Sequence, residues 1–417
     1  MLGVLRRNPR FRPFAAHTTF MTIGIGVFDI FMIWAIHAQF QNLLYTSLAA
    51  AMLLFPSALS FLTGPFVDRH NKVTLIRISA LLQALCVAAM LFLPSNYIWV
   101  KLAAIFVFTA ISNVVTPAER AYLPRIIAGD DLIKANSLIT SATVVIGLGT
   151  GVYLFRAIGD ATGFPTIYTV SLIFIALGAL ASFFLAPDTS TPTAAGRTNI
   201  RAQIADLKFG FGYLKQGTLA PILAALVAYN IAIELVAPNF PRLIGYNLGG
   251  YGSAFLLLIL SGLVGSVPGS LIASAFGSKY RLSVVVISGF ALTGIFSAVF
   301  VFAMTQSLWF AMGMRFVYGA FGSAALICLD SFQQKYLPTN VLGRISTTKI
   351  SFYAVAGTLG ALFGGLLGNL IPSVNMLFLL RSISYVIPIA ILLASKHTRS
   401  LPTLKEVQKL PDLELAA

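Results

Sequence analysis

The stretch Gly64-Pro65-Phe66-Val67-Asp68-Arg69-His70-Asn71-Lys72 decides how this chain is read, because it is a compact charged run in an apolar sequence and because it has an echo. Gly277 in GSKYR repeats Gly64, and the same spacing carries Gly147 and Gly151 onto Gly360 and Gly364. Tyr122-Leu123-Pro124 returns, one residue out of step, as Tyr336-Leu337-Pro338. Two similar halves stand in tandem. With apolar sequence between the echoes, the repeat unit reads as a bundle of membrane helices, an arrangement typical of secondary carriers.

Composition supports this. Of 417 residues, 58% are hydrophobic and 10% charged, whereas soluble domains carry about a quarter charged. Mean hydropathy is +0.87. Apolar runs of about 20 residues are needed to cross hydrocarbon as helices that satisfy their own backbone hydrogen bonds. Twelve such runs are expected, near 16–38, 43–63, 73–94, 97–117, 135–157, 164–186, 218–240, 250–275, 282–303, 307–329, 347–371 and 375–395. The first is too long for a cleaved signal peptide and is expected to remain as a span. The fold class is thus an all-α membrane protein, with twelve transmembrane helices in two pseudo-symmetric six-helix bundles.

A net charge of +15 invites a nucleic-acid reading, but the positions of the charges speak against it. Placing the amino terminus in the cytoplasm gathers most of the 28 basic residues on that side, from Arg6, Arg7, Arg10 and Arg12 to Lys396 and Arg399 in the tail. The positive-inside rule then sets both termini in the cytoplasm, as an even number of spans requires. No basic face is interleaved with stacking aromatics, so no nucleic-acid partner is expected. Cys86 and Cys328 fall within spans without metal-ligand spacing and read as small buried residues. No cofactor and no metal are expected.

The expected divisions are an amino-terminal bundle over 1–186, a cytoplasmic linker over 187–217, a carboxyl-terminal bundle over 218–395 and a tail over 396–417. In the linker, Ile200, Ile204, Leu207, Phe211 and Leu214 recur at helical spacing among Arg201, Asp206, Lys208 and Lys215. That pattern predicts an amphipathic helix along the membrane surface. The tail is short and polar.

The Gly64–Lys72 segment resembles the signature between the second and third helices of the major facilitator superfamily, G-x-x-x-D-R-x-x-R/K. The resemblance implies the major facilitator fold and a conformational gate made by Gly64, Asp68, Arg69 and Lys72, with Gly277 and Arg281 in the second copy. Thr116 to Pro124 and Asp130 to Leu138 are similar to the fourth-to-fifth-helix region of the macrolide-efflux and enterobactin-exporter branch, which implies export. Gly147, Gly149 and Gly151 on the fifth span and Gly357, Gly360, Gly364, Gly365 and Gly368 on the eleventh offer small faces for close helix crossing, at what the resemblance implies is the seam between halves. The Gly-Pro pair of the antiporter motif is missing here. The fourth-helix arginine of proton-coupled relatives is also missing, with Phe108 or a neighbour in its place, while Arg315 to Gly322 carries a related pattern in the tenth span.

Ionisable groups within hydrocarbon cost several kcal/mol and are functional candidates wherever they occur. Asp29 in the first span and Glu234 in the seventh, with Arg315 and Arg381, are the clearest intramembrane charges and are expected to couple protons or bind substrate; the competing reading is a structural ion pair of an acid with Arg315 or Arg381. Asn230, Tyr229, Trp34 and Tyr153 are expected to offer polar and aromatic contacts to an amphipathic ligand. His17 and His37, near the two ends of the first span, read as interfacial residues, and Asp330 as a helix-end hydrogen-bonding group.

These readings predict a carrier that exports an amphipathic or lipophilic small molecule by alternating access, with protons as coupling ion and membrane lipid as solvent. It sits in a bacterial inner membrane, and a monomer suffices. The alternative is a carrier for a metal ion, a siderophore or a lipid-like substrate without proton coupling. No HExxH or GxSxG and no His/Cys/Asp set supports an enzyme.

Overall fold

The computed structural model describes residues 2–92, 97–127, 135, 138–139, 142, 150, 163–188, 200–215, 217–249, 252–399 and 401–407. Eleven helices among these are long and apolar enough to cross a membrane, and no strand occurs in the described residues. The expected fifth span, 135–157, lies almost wholly outside them.

The helices are α1 (Phe11–Phe40), α2 (Leu43–Leu54, continued by a tighter 3-10 stretch, Phe55–Leu62), α3 (Lys72–Phe92), α4 (Ile98–Ile126) and α5 (Gly163–Ser182). After them comes α6 (Ile200–Leu214), the amphipathic linker helix. The second half holds α7 (Leu219–Glu234, resumed as Phe240–Leu248), α8 (Gly252–Gly277), α9 (Leu282–Gln306), α10 (Leu308–Tyr336), α11 (Thr339–Leu370) and α12 (Val374–Ser384 and Val386–Ala394). Both faces of each span are apolar, as a helix in lipid requires, so caps and breaks rather than amphipathic stripes mark their limits. At the end of α1, Gln41 takes a left-handed conformation with φ 47° and donates its N–H to the His37 carbonyl at 2.7 Å; this closes the helix before α2 begins.

Contacts divide the chain into two units. The first holds Met1–Gln41 with Met52–Ile200, and the second holds Asn42–Ala51 with Arg201–Ala417. Within the first, α1 packs along α5, and α3 packs on α4 and α5. Its core gathers Phe11, Phe14, Ile76 and Tyr122, and Phe28 meets Phe108 ring to ring at 4.1 Å.

In the second unit α10 lies between α8 and α9, and α7 packs on α11 and α12. Its core runs from Ile222 and Tyr229 through Phe290 and Cys328 to Leu401 in the tail. The linker helix joins the same unit: Leu214 is fully buried among Leu219, Leu337 and Ile345, and Phe211 stacks on Phe352 at 4.7 Å. Burial beside Tyr336 pushes the Tyr213 phenol above its ordinary range.

Candidate functional site

Glu234 stands at a break in α7, and the sequence makes that break. Pro238 and Pro241 follow within two turns and have no N–H to continue the helical ladder, so the chain passes through a short 3-10 turn at Ala237–Asn239 before turning helical again. Carbonyls freed by such a break need partners. The glycine stripe of α11 meets this stretch: a Cβ on Gly360 would lie 2.8 Å from the Ile231 carbonyl oxygen and 3.2 Å from Glu234 Cβ, and one on Gly364 would overlap the Leu235 carbonyl. The buried Asn239 side chain donates to the Gly364 carbonyl at 2.7 Å. Further on, Arg242 donates to the carbonyls of Gly368 at 2.6 Å and Pro372 at 3.2 Å, which caps the carboxyl end of α11 with a cation. Discontinuous helices of this kind build the binding sites of many carriers.

Two arginines stand in the same unit. Arg315 on α10 donates Nε–H to the Leu258 carbonyl at 3.0 Å, and its guanidinium lies 4.9 Å from the ring of Phe240 and 5.3 Å from that of Tyr318. Arg381 on α12 covers the same Tyr318 ring and that of Tyr385, each at 5.2 Å. Arg381 is only 5% exposed, and its Nε finds no acceptor among the described residues. Desolvated guanidinium–aromatic contacts are worth about 2 kcal/mol. Arg381 also exerts an electrostatic pull on Glu234, with no ion pair between them among the described residues. The half-buried Asn230 sits one turn before Glu234. Tyr229 is instead packed into the core, 5.0 Å from Phe290 and 5.5 Å from Tyr385 between ring centroids.

In the first unit, Asp29 is exposed midway along α1 and takes part in no ion pair or hydrogen bond among the described residues. Trp34 is half-buried on the same helix. Tyr153 lies outside the described residues, as does the side chain of Asp68.

The basic end of the first unit carries a network with a member that the sequence did not reveal. Asp188, whose side chain is 2% exposed, accepts from the Lys72 backbone N–H at 3.1 Å and from Arg125 at 2.7 and 2.9 Å. Asn71 caps the Thr74 N–H and donates to the Asp188 carbonyl. Lys72 is itself buried, with Nζ donating to the His70 carbonyl at 3.0 Å. Arg77 holds the carbonyls of Ser182, Phe183 and Leu185.

The second unit solves the same problem with backbone. Leu282 N–H donates to Pro402 O at 3.2 Å, Leu404 N–H to Gly277 O at 2.9 Å, and Lys335 Nζ to Leu404 O at 2.9 Å. Gly277 is needed there, since a Cβ would stand 3.0 Å from Leu404 Cδ1 and 3.1 Å from Cys328 Sγ. Arg281 is exposed at the start of α9. The tail is therefore a docked strap. Asp330 pairs with Lys349 at 2.6 Å rather than closing its own helix end.

Among known proteins, the family model described as the Major Facilitator Superfamily matches residues 15–296. No curated protein sequence matches the chain. The structure resembles that of the nucleoside transporter NupG, with a TM-score of 0.74 at 12% identity over 92% of this chain and 99% of that one. It also resembles a POT family transporter in complex with 5-aminolevulinic acid, with a TM-score of 0.72 at 11% identity over 93% and 96% of the two chains. At such identities the likeness is one of fold.

Proposed function

The chain belongs to the Major Facilitator Superfamily, and from that premise we propose that this multi-pass membrane transporter exports an amphipathic or lipophilic small molecule by alternating access, exchanging it for protons. The observation that carries the reading is Glu234, a half-buried carboxylate at a helix break, within the pull of Arg381 but joined to no cation among the described residues. An acid so placed accepts a proton when a substrate leaves and gives it up when one arrives. Asp29, exposed midway along α1, supplies a second carboxylate for this role in the first unit. The resemblance of residues 116–138 to exporters supports the outward direction. The clustering of basic residues supports cytoplasmic termini in a bacterial inner membrane.

The Gly64–Lys72 segment and its counterpart at Gly277 and Arg281 act as the conformational gate in this account, each held by the segment that follows the last span of its unit. Substrate contacts come, within each unit by itself, from Trp34 on the helix of Asp29 and from Asn230 one turn before Glu234, with Arg315 and Arg381 setting the charge in the second unit. Tyr229 shapes the wall behind them.

The test is direct. A thermal-shift screen of amphipathic compounds against purified protein identifies a ligand, and its flux is followed in proteoliposomes with and without an imposed pH gradient. Acceleration by a gradient that drives protons against the substrate supports exchange. Flux indifferent to the gradient at every ligand concentration overturns it in favour of a carrier without proton coupling.

A further inference from the structure

His17 lies in the basic-end half of α1 and is wholly buried, not interfacial as its place in the sequence suggests. Its Nδ1 is 2.8 Å from the Gly178 carbonyl oxygen on α5, and its Nε2 is 3.0 Å from Oε1 of Glu119 on α4. A backbone carbonyl has no proton to give, so the hydrogen of the first contact belongs to Nδ1. That settles the second contact. A proton has to stand between Nε2 and Oε1, either as an imidazolium donating to a carboxylate or as a carboxylic acid donating to a neutral ring.

Both descriptions contain the same number of protons and carry no net charge. Without that proton, two lone pairs face each other across the contact and a negative charge rests against a ring with no exposure. The Glu119 side chain is itself only 16% exposed, so solvent compensates little of it.

Several ionisable groups on the elements packed here are engaged elsewhere or exposed. From α1, Arg12 donates to the Leu5 carbonyl. From α3, Arg77 is bound to three carbonyls beyond the end of α5. On α4, Arg120 is exposed, Tyr122 donates to the Ala186 carbonyl, and Arg125 is paired with Asp188. Helix α5 has no charged residue at all. Arg69 on the short helix Thr63–Arg69 packed against α4, Arg6 and Arg10 at the amino end of α1, and the buried Tyr168 on α5 are further ionisable groups on these elements.

We infer that His17 and Glu119 form a proton-binding site: the pair holds one exchangeable proton that ties α1 to α4, beside the Nδ1–H bond that holds α1 to α5, and release of that proton loosens the tie to α4. The site is separate from Asp29, which lies about 18 Å further along the same helix at 1.5 Å per residue. Its use during transport rests on the proton-exchange reading above, whereas its existence does not.

The experiment needs neither substrate nor gradient, so it fails or succeeds independently of that reading. Full-length protein labelled with 15N-histidine is placed in lipid nanodiscs and followed by NMR through a pH series, with the His17 signals identified by their loss in His17→Gln. The expected result is an Nδ1 that stays protonated throughout and a single one-proton step at Nε2 or Glu119. Hydrogen exchange over residues 14–21, corrected for intrinsic rates, should rise at least severalfold across that step. Glu119→Gln keeps the contact, because its amide N–H can donate to a neutral His17 ring, yet it has no proton to release. In that variant the Nε2 signal and the protection of 14–21 should not change with pH. An identical step in wild type and Glu119→Gln, or an Nδ1 without its proton, overturns the inference. If Glu119→Gln does not fold, the wild-type signals decide alone: a one-proton step with Nδ1 protonated supports the site, and the absence of a step overturns it.

Discussion

Replacing Asp188 with alanine should cost the first unit far more than its place at the start of a linker suggests. The carboxylate caps the first N–H of α3, and loss of such a cap costs about 1–2 kcal/mol. It also binds Arg125, which is 36% exposed and can be resolvated, so that pair adds at most about 1 kcal/mol. The expected loss is about 1–3 kcal/mol. At about 2–4 °C per kcal/mol for a unit of this size, the unfolding midpoint should fall by roughly 2–12 °C. Fluorescence-detected unfolding of the purified protein reads it. Asp330→Ala is the control: that carboxylate is 52% exposed, Lys349 keeps Gln333 as an acceptor, and the change should stay under about 1 kcal/mol. Asp188→Asn, which keeps an acceptor for the cap and loses the charge, should fall between the two. Equal shifts for Asp188→Ala and Asp330→Ala would refute the reasoning, because they would mean that burial of the cap contributes nothing.

Gly364→Ala places a methyl on the Leu235 carbonyl, so α7 and α11 must separate at the break beside Glu234; a loss of about 1–3 kcal/mol and reduced flux are expected. Gly313→Ala meets nothing within 4 Å and should be neutral or stabilise by up to about 1 kcal/mol, as thermal unfolding would show. Leu401→Ala should lower stability by about 2–4 kcal/mol, since Leu401 is 3% exposed where the tail joins the core; an unchanged midpoint would mean that the strap is only resting there. Asp29→Asn and Glu234→Gln should each leave folding intact and weaken the dependence of flux on the pH gradient, measured in proteoliposomes.

The spans were legible because lipid imposes a simple rule, an unbroken apolar run with its backbone satisfied within the helix. The helix Ile200–Leu214 was legible as a helix for a related reason, since its apolar residues recur at helical spacing, and two of them, Leu214 and Phe211, pack on Ile345 and Phe352. The glycines of α11 announced close packing, although only the structure shows that they meet the carbonyls of α7. Asp188 was not legible. Its partners, Lys72 and Arg125, are far away in sequence, and nothing local distinguishes it from the other polar residues of the linker. The tail strap was hidden more deeply, because its bonds to Gly277 and Leu282 run through backbone and leave no mark in side-chain chemistry. Tyr229 and His17 illustrate a third limit: a residue type reveals what it can do, whereas its direction on the helix decides whether it packs in a core or pairs with an acid.

The most direct measurement is a count of protons moved per molecule of ligand. Proteoliposomes carrying a pH-reporting dye are given a gradient of the compound found by thermal shift, with no initial pH difference. The account predicts that wild type acidifies the compartment the compound leaves, because protons run counter to the compound, and that Glu234→Gln weakens this movement. Compound flux in wild type with no change in dye signal would contradict it.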